Sequence, residues 1–486
     1  MPRTPLPITN GYYLSDSLPL SAQECTNWYV NIPQTQALSA ESLFGTPGLK
    51  VLAAGLGGRQ VNRGSHKLNT IPYFVNGNVL YRLNRVYSSG AESFNAEAIG
   101  EIEGTGRVWL SDNGTQLCIL VPGGKGYIFT ADPDTLEEIT DEDFRANGDP
   151  QAVVYIDGYF VFTTDSKKFI VSALNDGLDY NALDFGTAEA DPDDIVAPIV
   201  LNNQLFIGGS ETIEAFQNIG GSEFPFQRTG LYIQKGITMP FAAVNASNTF
   251  IFVGSGENEG AAVWELNGNS VQKISTNSID SLIQDVDPFN LGDSFAWSYA
   301  QKGAYFVCFT LPHTTIVYDT VTGRWHERKS HLVDYIDGSQ DTRCRVNSVV
   351  TAYGRFLVGD SQDGRIGDMS TDYLTEYDNN IIRVVATQPF ENTGNSFLVP
   401  YLELIMESGV GNDEVADPQI RMSRSTDGRK TWGDERSRNI GRVGEYDRRT
   451  IWRRNGRASR FECFRFTMSD ACKPVILQLV ADITTG

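Results

Sequence analysis

The chain has 486 residues, 41% hydrophobic and 11% aromatic, a make-up that excludes intrinsic disorder and asks for two or three domains. Its formal charge is −21, from 60 acidic against 39 basic side chains, and an acidic body of that kind excludes wrapping of duplex DNA, which needs a basic surface. No apolar run approaches the length of a membrane span, and the opening MPRTPLPITNGYY lacks the apolar segment of a secretory leader, so the expectation is a protein made in a cytoplasm without membrane insertion.

Residues 1–49 read as an N-terminal arm. It carries NWYVNIPQ (Asn27–Gln34) and a Thr-Pro-Gly step at Thr46–Gly48 that suits a type II turn, and it is expected to run over the surface before the first repeat.

Residues 50–385 repeat one pattern of apolar strand, tight turn and apolar strand. The instances begin at Ile71, Gln116, Tyr159, Gln204, Thr249, Ala304 and Arg355. A hairpin recurring every 42–55 residues or so is the mark of a β-propeller, in which ringed blades bury faces that one blade alone leaves exposed. Seven hairpins are present, and the spacing allows six or seven blades. A stacked sandwich is the alternative arrangement. The acidic run Asp132–Asp143 reads as a solvated loop, because the glycine of a calcium loop is missing.

Residues 386–486 break the repeat. YLELIMES (Tyr401–Ser408), QIRMSRS (Gln419–Ser425), RRTIWRR (Arg448–Arg454), FECFRFTM (Phe461–Met468) and VILQLVAD (Val475–Asp482) read as the antiparallel strands of a C-terminal β-sandwich-like domain. The predicted fold class is therefore all-β. The charge changes sign here: residues 419–465 hold 14 Lys/Arg against 6 Asp/Glu, whereas residues 1–418 hold 24 against 52. In TIWRR, Ile451 and Arg453 are expected on one face and Trp452 with Arg454 on the other, which suits an amphipathic protein interface better than a stacking platform for nucleic acid.

The signs of chemistry are few. STDGRKTW matches the Asp-box of sialidase-like propellers at Ser425, Asp427, Thr431 and Trp432, with Arg429 where glycine belongs; the box is a folding device, an Asp bracing a turn over a Trp, and it occurs once. Sixty carboxylates always offer some pair at glycosidase spacing, so spacing alone is uninformative. His66, His313, His326 and His331 lack zinc spacing. GSGENEG (Gly254–Gly260) reads as a hairpin turn, and Gly292-Asp293-Ser294 makes no nucleophile elbow. The six cysteines are scattered without a CxxC pair and read as reduced, buried thiols.

Asn27-Trp28-Tyr29 with the Thr-Pro-Gly step, GLYIQKGIT (Gly230–Thr238), and STDGRKTW followed by YDRRTIWRRNGRASRFECFRFTMSD, in that order over nearly the whole chain, resemble the tail hub proteins of short-tailed bacteriophages, also called packaged-DNA stabilization, head-completion or nozzle proteins. The resemblance implies a β-propeller with an added β-sandwich and a homo-hexameric tube below the portal adaptor ring. It also implies attachment of tail fibres or tailspikes and a tail plug or needle, and a lumen through which DNA passes without specific binding. The place of work is then the virion tail, after assembly in the host cytoplasm, with no enzymatic activity, catalytic residue, cofactor or metal. For such a hub, Arg448, Arg449, Arg453, Arg454, Arg457 and Arg460 are candidate contacts to an acidic neighbour, the plainer reading being that they pair inside the sandwich or sit in water. The competing functional classes are a sialidase-like propeller glycosidase acting on host surface glycan and a propeller interaction module of a cellular protein.

Overall fold

A computed structural model describes residues 3–54, 56, 60–188, 193–221, 224–334 and 338–485. Seven four-stranded antiparallel units form a ring among these residues. Blades 1 to 5 are separate sheets over residues 62–101, 109–138, 150–187, 195–233 and 243–273. Blade 6 spans residues 295–334, and blade 7 spans residues 346–370. Each of the seven predicted hairpins forms the second and third strands of one blade, as in Tyr159–Thr164 paired with Lys168–Ala173.

The middle strands are buried on both faces, so their period of two is hidden in an apolar run. In Gln116–Val121, Leu117, Ile119 and Val121 face blade 1 while Cys118 and Leu120 face blade 3. Blades 1–2, 2–3, 3–4, 4–5, 6–7 and 7–1 each enclose an apolar cluster of this kind. The acidic run after Asp132 is partly ordered rather than a free loop: Asp134–Glu138 is the outermost strand of blade 2, followed by a 3₁₀ turn at Glu142–Arg145.

The first 53 residues depart furthest from expectation. Gly48–Ala53 lies antiparallel to Ile366–Ser370 and supplies the fourth strand of blade 7, so chain beginning and propeller end close the ring together. The Thr-Pro-Gly step is not a type II turn: Gly48 already belongs to that strand and lacks the positive φ such a turn needs. Its glycine serves close approach, because a Cβ there would lie 2.4 Å from the carbonyl oxygens of Tyr373 and Thr375.

Residues 22–31 and 42–49 of the arm are largely interior, whereas residues 16–20 and 32–41 stay mostly at the surface as expected. Ala22–Thr26 pairs with Arg383–Ala386 and touches blade 6 in parallel at Glu327. Trp28–Asn31 and Ser42–Gly45 form a hairpin that joins Val475–Thr485. These segments complete a two-sheet sandwich. One sheet runs from Ala22–Thr26 through Arg383–Ala386, Phe461–Met468 and Gln419–Ser425 to Arg436–Asn439; the other runs from Trp28–Asn31 through Ser42–Gly45, Val475–Thr485 and Phe397–Met406 to Thr450–Arg453. Its core, with Trp28, Leu402, Trp452, Phe464 and Phe466, is continuous with the cluster between blades 5 and 6. All six cysteines are free and buried.

Asn27-Trp28-Tyr29 pins the parts together. Asn27, at φ 59°, donates from Nδ2 to the carbonyls of Lys329 and Ile382, both at 2.8 Å, and its Oδ1 accepts from the Lys329 amide. Trp28 then enters the sandwich core, and Tyr29, on the opposite face, enters the core of blades 6 and 7.

Candidate assembly interface

The arginine-rich segment folds as an edge of the sandwich. Thr450–Arg453 pairs antiparallel with Phe397–Met406, Trp452 opposite Leu402 and Arg453 opposite Tyr401. Thr450 and Trp452 are buried, and the indole donates from Nε1 to the Arg436 carbonyl at 2.8 Å. Ile451 and Arg453 face outward, as the alternation requires. Arg454 does not share the Trp452 face: the strand ends at Arg453, and Arg454 turns out to solvent at φ 55°, its amide bonded to the Pro400 carbonyl. A nearby turn makes the same escape at Gly456, whose φ is 90°.

Arg448, Arg449, Arg453, Arg454, Arg457 and Arg460 are all solvent-exposed. Their partners differ. Arg449 clasps Glu403 with Nε and Nη2, each at 2.6 Å, and also donates to the Tyr401 hydroxyl. That clasp holds the Glu403 carboxyl below its ordinary range. Arg453 and Arg3 cover the Tyr401 ring at 5.5 and 4.3 Å. Arg449 and Arg3, the latter 3.5 Å from Glu403, thus share one carboxylate, and Arg453 adds a third guanidinium over the neighbouring ring, leaving this corner positive. Arg457 bonds the Ser396 hydroxyl, and Arg460 lies 3.8 Å from Glu391 in a solvated pair. Arg448, Arg453 and Arg454 make no ion pair among the described residues. Other arginines of the segment are spent inside: Arg424 forms a two-pronged pair with the fully buried Glu462, and Arg429 reaches Glu24 at 3.0 Å.

The Ser425–Trp432 turn binds itself. Ser425 Oγ donates to Asp427 Oδ1 at 2.8 Å and accepts the Arg429 amide at 2.9 Å. Asp427 accepts the Thr431 amide at 3.0 Å and the Thr431 hydroxyl at 2.6 Å. These bonds, the Thr431 hydroxyl first, push the Asp427 carboxyl down to about 2. Both Asp427 oxygens are occupied by the turn, which leaves the group braced rather than poised for proton transfer. Trp432 is not under the turn but half-exposed between two guanidiniums, Arg429 at 5.6 Å and Arg465 at 4.4 Å. Arg429 takes the box's glycine position at φ 72°, a left-handed conformation that favours glycine, and its side chain ties the turn to Glu24.

Elsewhere, His326 is buried with its pKa pushed down to about 3, by burial first and by Arg328 second. His66 and His331 pair with Asp112 and Asp341, and His313 is an exposed bend residue. No group of three His, Cys, Asp or Glu side chains suited to a metal ion occurs among the described residues. Among the described residues no helix is long and apolar enough to cross a membrane.

A β-propeller ring closed by a strand from the N-terminal arm and joined to a sandwich with an exposed basic edge defines a propeller-and-sandwich class of protein. The model of the bacteriophage P22 Gp10 β-propeller matches residues 4–374, and that of the bacteriophage P22 Gp10 β-sandwich matches residues 382–484. The chain belongs to this family of short-tailed phage tail hub proteins and is a structural component of a phage tail. It is 22% identical to the tail hub protein gp10 of Salmonella phage P22 over 413 residues, which cover 81% of this chain and 83% of that protein. Among solved structures it is similar to the WD40 β-propeller domain of Doa1 (14% identity, TM-score 0.40, covering 66% of this chain and 97% of that one). It is also similar to PorZ of Porphyromonas gingivalis (9% identity, TM-score 0.39, covering 72% and 44%).

Proposed function

We propose that the chain is one wedge of a homo-hexameric hub below the portal adaptor ring, which retains packaged DNA, attaches fibres or spikes and a plug, and conducts DNA at ejection without enzymatic activity. The observation that carries this reading is the division of charge. Exposed, ion-pair-free arginines crowd one edge of the sandwich, on a chain whose first 418 residues hold 52 acidic against 24 basic side chains. Such an edge is complementary to the body of a second copy, and this complementarity gives a side-to-side contact its register.

The propeller's own axis supports a conduit formed between copies. Trp109 of blade 2 stacks on Phe241, before blade 5, with ring centroids 4.9 Å apart, and Phe241 bridges to Phe295 of blade 6. Side chains fill the middle of the ring, so DNA has to pass between assembled copies, along walls whose acidity repels phosphate.

The test is the mass of the purified protein mixed with its adaptor ring. Addition of six copies is expected; a persistent monomer in that mixture overturns the reading. The inner surface of the assembled ring should be predominantly acidic, and a lumen lined mainly by Arg and Lys would refute the account of DNA passage.

A further inference from the structure

A second set of arginines lies far from the sandwich edge. Arg63 enters from the first strand of blade 1, Arg107 from just before blade 2, and Arg343 from just before blade 7. They line a cavity of about 270 Å³ with Asn347 and Asp293. The first strands of neighbouring blades lie against one another around the axis, and the cavity covers the starts of those of blades 1, 2, 6 and 7. It is therefore a cup at the axial mouth of the propeller.

The cup is built, not incidental. Asn347 holds two guanidiniums side by side: its backbone carbonyl accepts from Arg107 Nη1 at 2.9 Å and its Oδ1 from Arg343 Nη2 at 3.0 Å. Both lie over the Phe295 ring, at 3.6 and 5.6 Å from its centroid. Arg63, 4% exposed, is fixed by carbonyls at Gly106, Gly77 and Ile102. Donors remain over: Arg63 Nη2 and Arg107 Nε are buried with no hydrogen-bond partner. No carboxylate forms an ion pair with any of the three among the described residues. Asp293 stands exposed at the rim, near enough to act on Arg107 and Arg343 only through space. Burial and Arg343 together push Arg107 down to about 9. Unpaired, mutually repelling guanidiniums in a chain of net charge −21 are costly to hold together, and an anion would remove that cost.

We propose that this cup binds an oxyanion, a carboxylate or phosphate group, between Arg107 and Arg343 with Arg63 behind them. Planar forks with fixed supports suit the paired oxygens of such a group. Two sources present this chemistry: a free inorganic ion, or an acidic side chain of a neighbouring tail protein inserted at the axis. The inference does not depend on the hexameric hub, because the cup is complete in one chain.

The test uses the full chain and inorganic phosphate, titrated calorimetrically against a chloride background of equal ionic strength. Saturable binding is expected, weakened about tenfold or more by Arg107→Gln with Arg343→Gln. Because that double variant could fail to fold, Asp293→Asn provides the second arm. It alters an exposed rim residue, removes a repelling carboxylate, and should tighten phosphate binding several-fold. Absence of saturable binding overturns the proposal, as does an affinity indifferent to Asp293→Asn. An electron-microscopic map of the assembled tail in phosphate-free buffer separates the sources. Density continuous with a neighbour's carboxylate identifies a protein ligand. A discrete ion identifies a free one, and a cup empty both there and in the phosphate-soaked chain refutes the site.

Discussion

In the propeller, six of the seven interfaces between blades enclose an apolar cluster of their own, four of them drawn mainly from blades consecutive in the chain, whereas the sandwich draws its core from both ends of the chain and shares it with the interface of blades 5 and 6. The first arrangement localises damage. Loss of one side chain weakens one seam, and neighbouring seams hold. The second couples distant parts: Trp28, Trp325 and Trp452 sit in one cluster though some 130 to 300 residues separate successive members. The outer surfaces follow the same division, acidic over the ring and basic at the sandwich edge. A chain built this way presents a rigid, repetitive body and an edge whose shape depends on both termini being in place.

The sharpest way to break that contrast is Trp28→Ala. The side chain is fully buried where propeller and sandwich cores merge, and removing a buried aromatic costs about 3–5 kcal/mol. Because the cluster is shared, calorimetry should show one lowered transition rather than a sandwich melting ahead of an unaffected ring. Phe160→Ala, inside the seam of blades 2 and 3, is the control that should leave contacts at the sandwich untouched. Gly48→Ala attacks the closure. Its Cβ would press on two backbone carbonyls, and overpacking of this kind costs about 1–3 kcal/mol. Limited proteolysis should then cut near residue 50 before any other blade opens.

Acid tests the same joint through His326, buried in blade 6 beside Tyr29 and Phe306. Its folded pKa of about 3 lies below the ordinary 6.5, so the unfolded chain takes up a proton first as pH falls. The neutral buried ring therefore contributes fully above pH 6.5, and its contribution declines below that value. Linkage puts the loss near 2 kcal/mol between pH 6.5 and 5, on the order of magnitude of 1.36 kcal/mol per pH unit. His326→Phe should flatten this part of the stability curve in denaturant titrations. An unchanged slope would mean that the ring is protonated in the folded state.

Much of the ring could be read from the chain because each blade is a local device: Ile71–Leu83 and its six successors carry strand, turn and strand within some 20 residues, and the hairpins name their own partners. The strands of the sandwich were legible for the same reason, Gln419–Ser425 and Phe461–Met468 being found at their observed bounds. What stayed hidden is non-local. Nothing in Gly48–Ala53 announces that its partner lies some 320 residues away at Ile366–Ser370, so the arm looked superficial. Nothing in Arg63, Arg107 and Arg343 announces that a ring closure will gather them, since each stands alone in an ordinary loop or strand. Asn27-Trp28-Tyr29 stood out as a motif, but its use as a pin depends on Lys329 and Ile382 arriving from elsewhere. Alternation also misled at Arg454, because the strand ends one residue earlier, at Arg453, and φ turns positive.

The smallest effect on the isolated chain, and the most telling for the comparison, is expected from charge reversal at Arg453 and Arg454. Both are exposed and neither makes an ion pair among the described residues, so Arg453→Glu with Arg454→Glu should change folding stability by no more than about 0.5 kcal/mol per site. Arg449→Glu is the contrast: it breaks the clasp on Glu403 and places like charges together, so it should lower the melting temperature measurably. If the basic edge meets the acidic body of another copy, the 453/454 variant assembles poorly with wild-type stability, and the deficit shrinks as salt is raised, because screened charges contribute less. Mass measurements across a salt series, beside melting curves of the same samples, separate the two effects. Equal loss of stability and assembly would make these arginines part of the sandwich rather than of its contact with a neighbour.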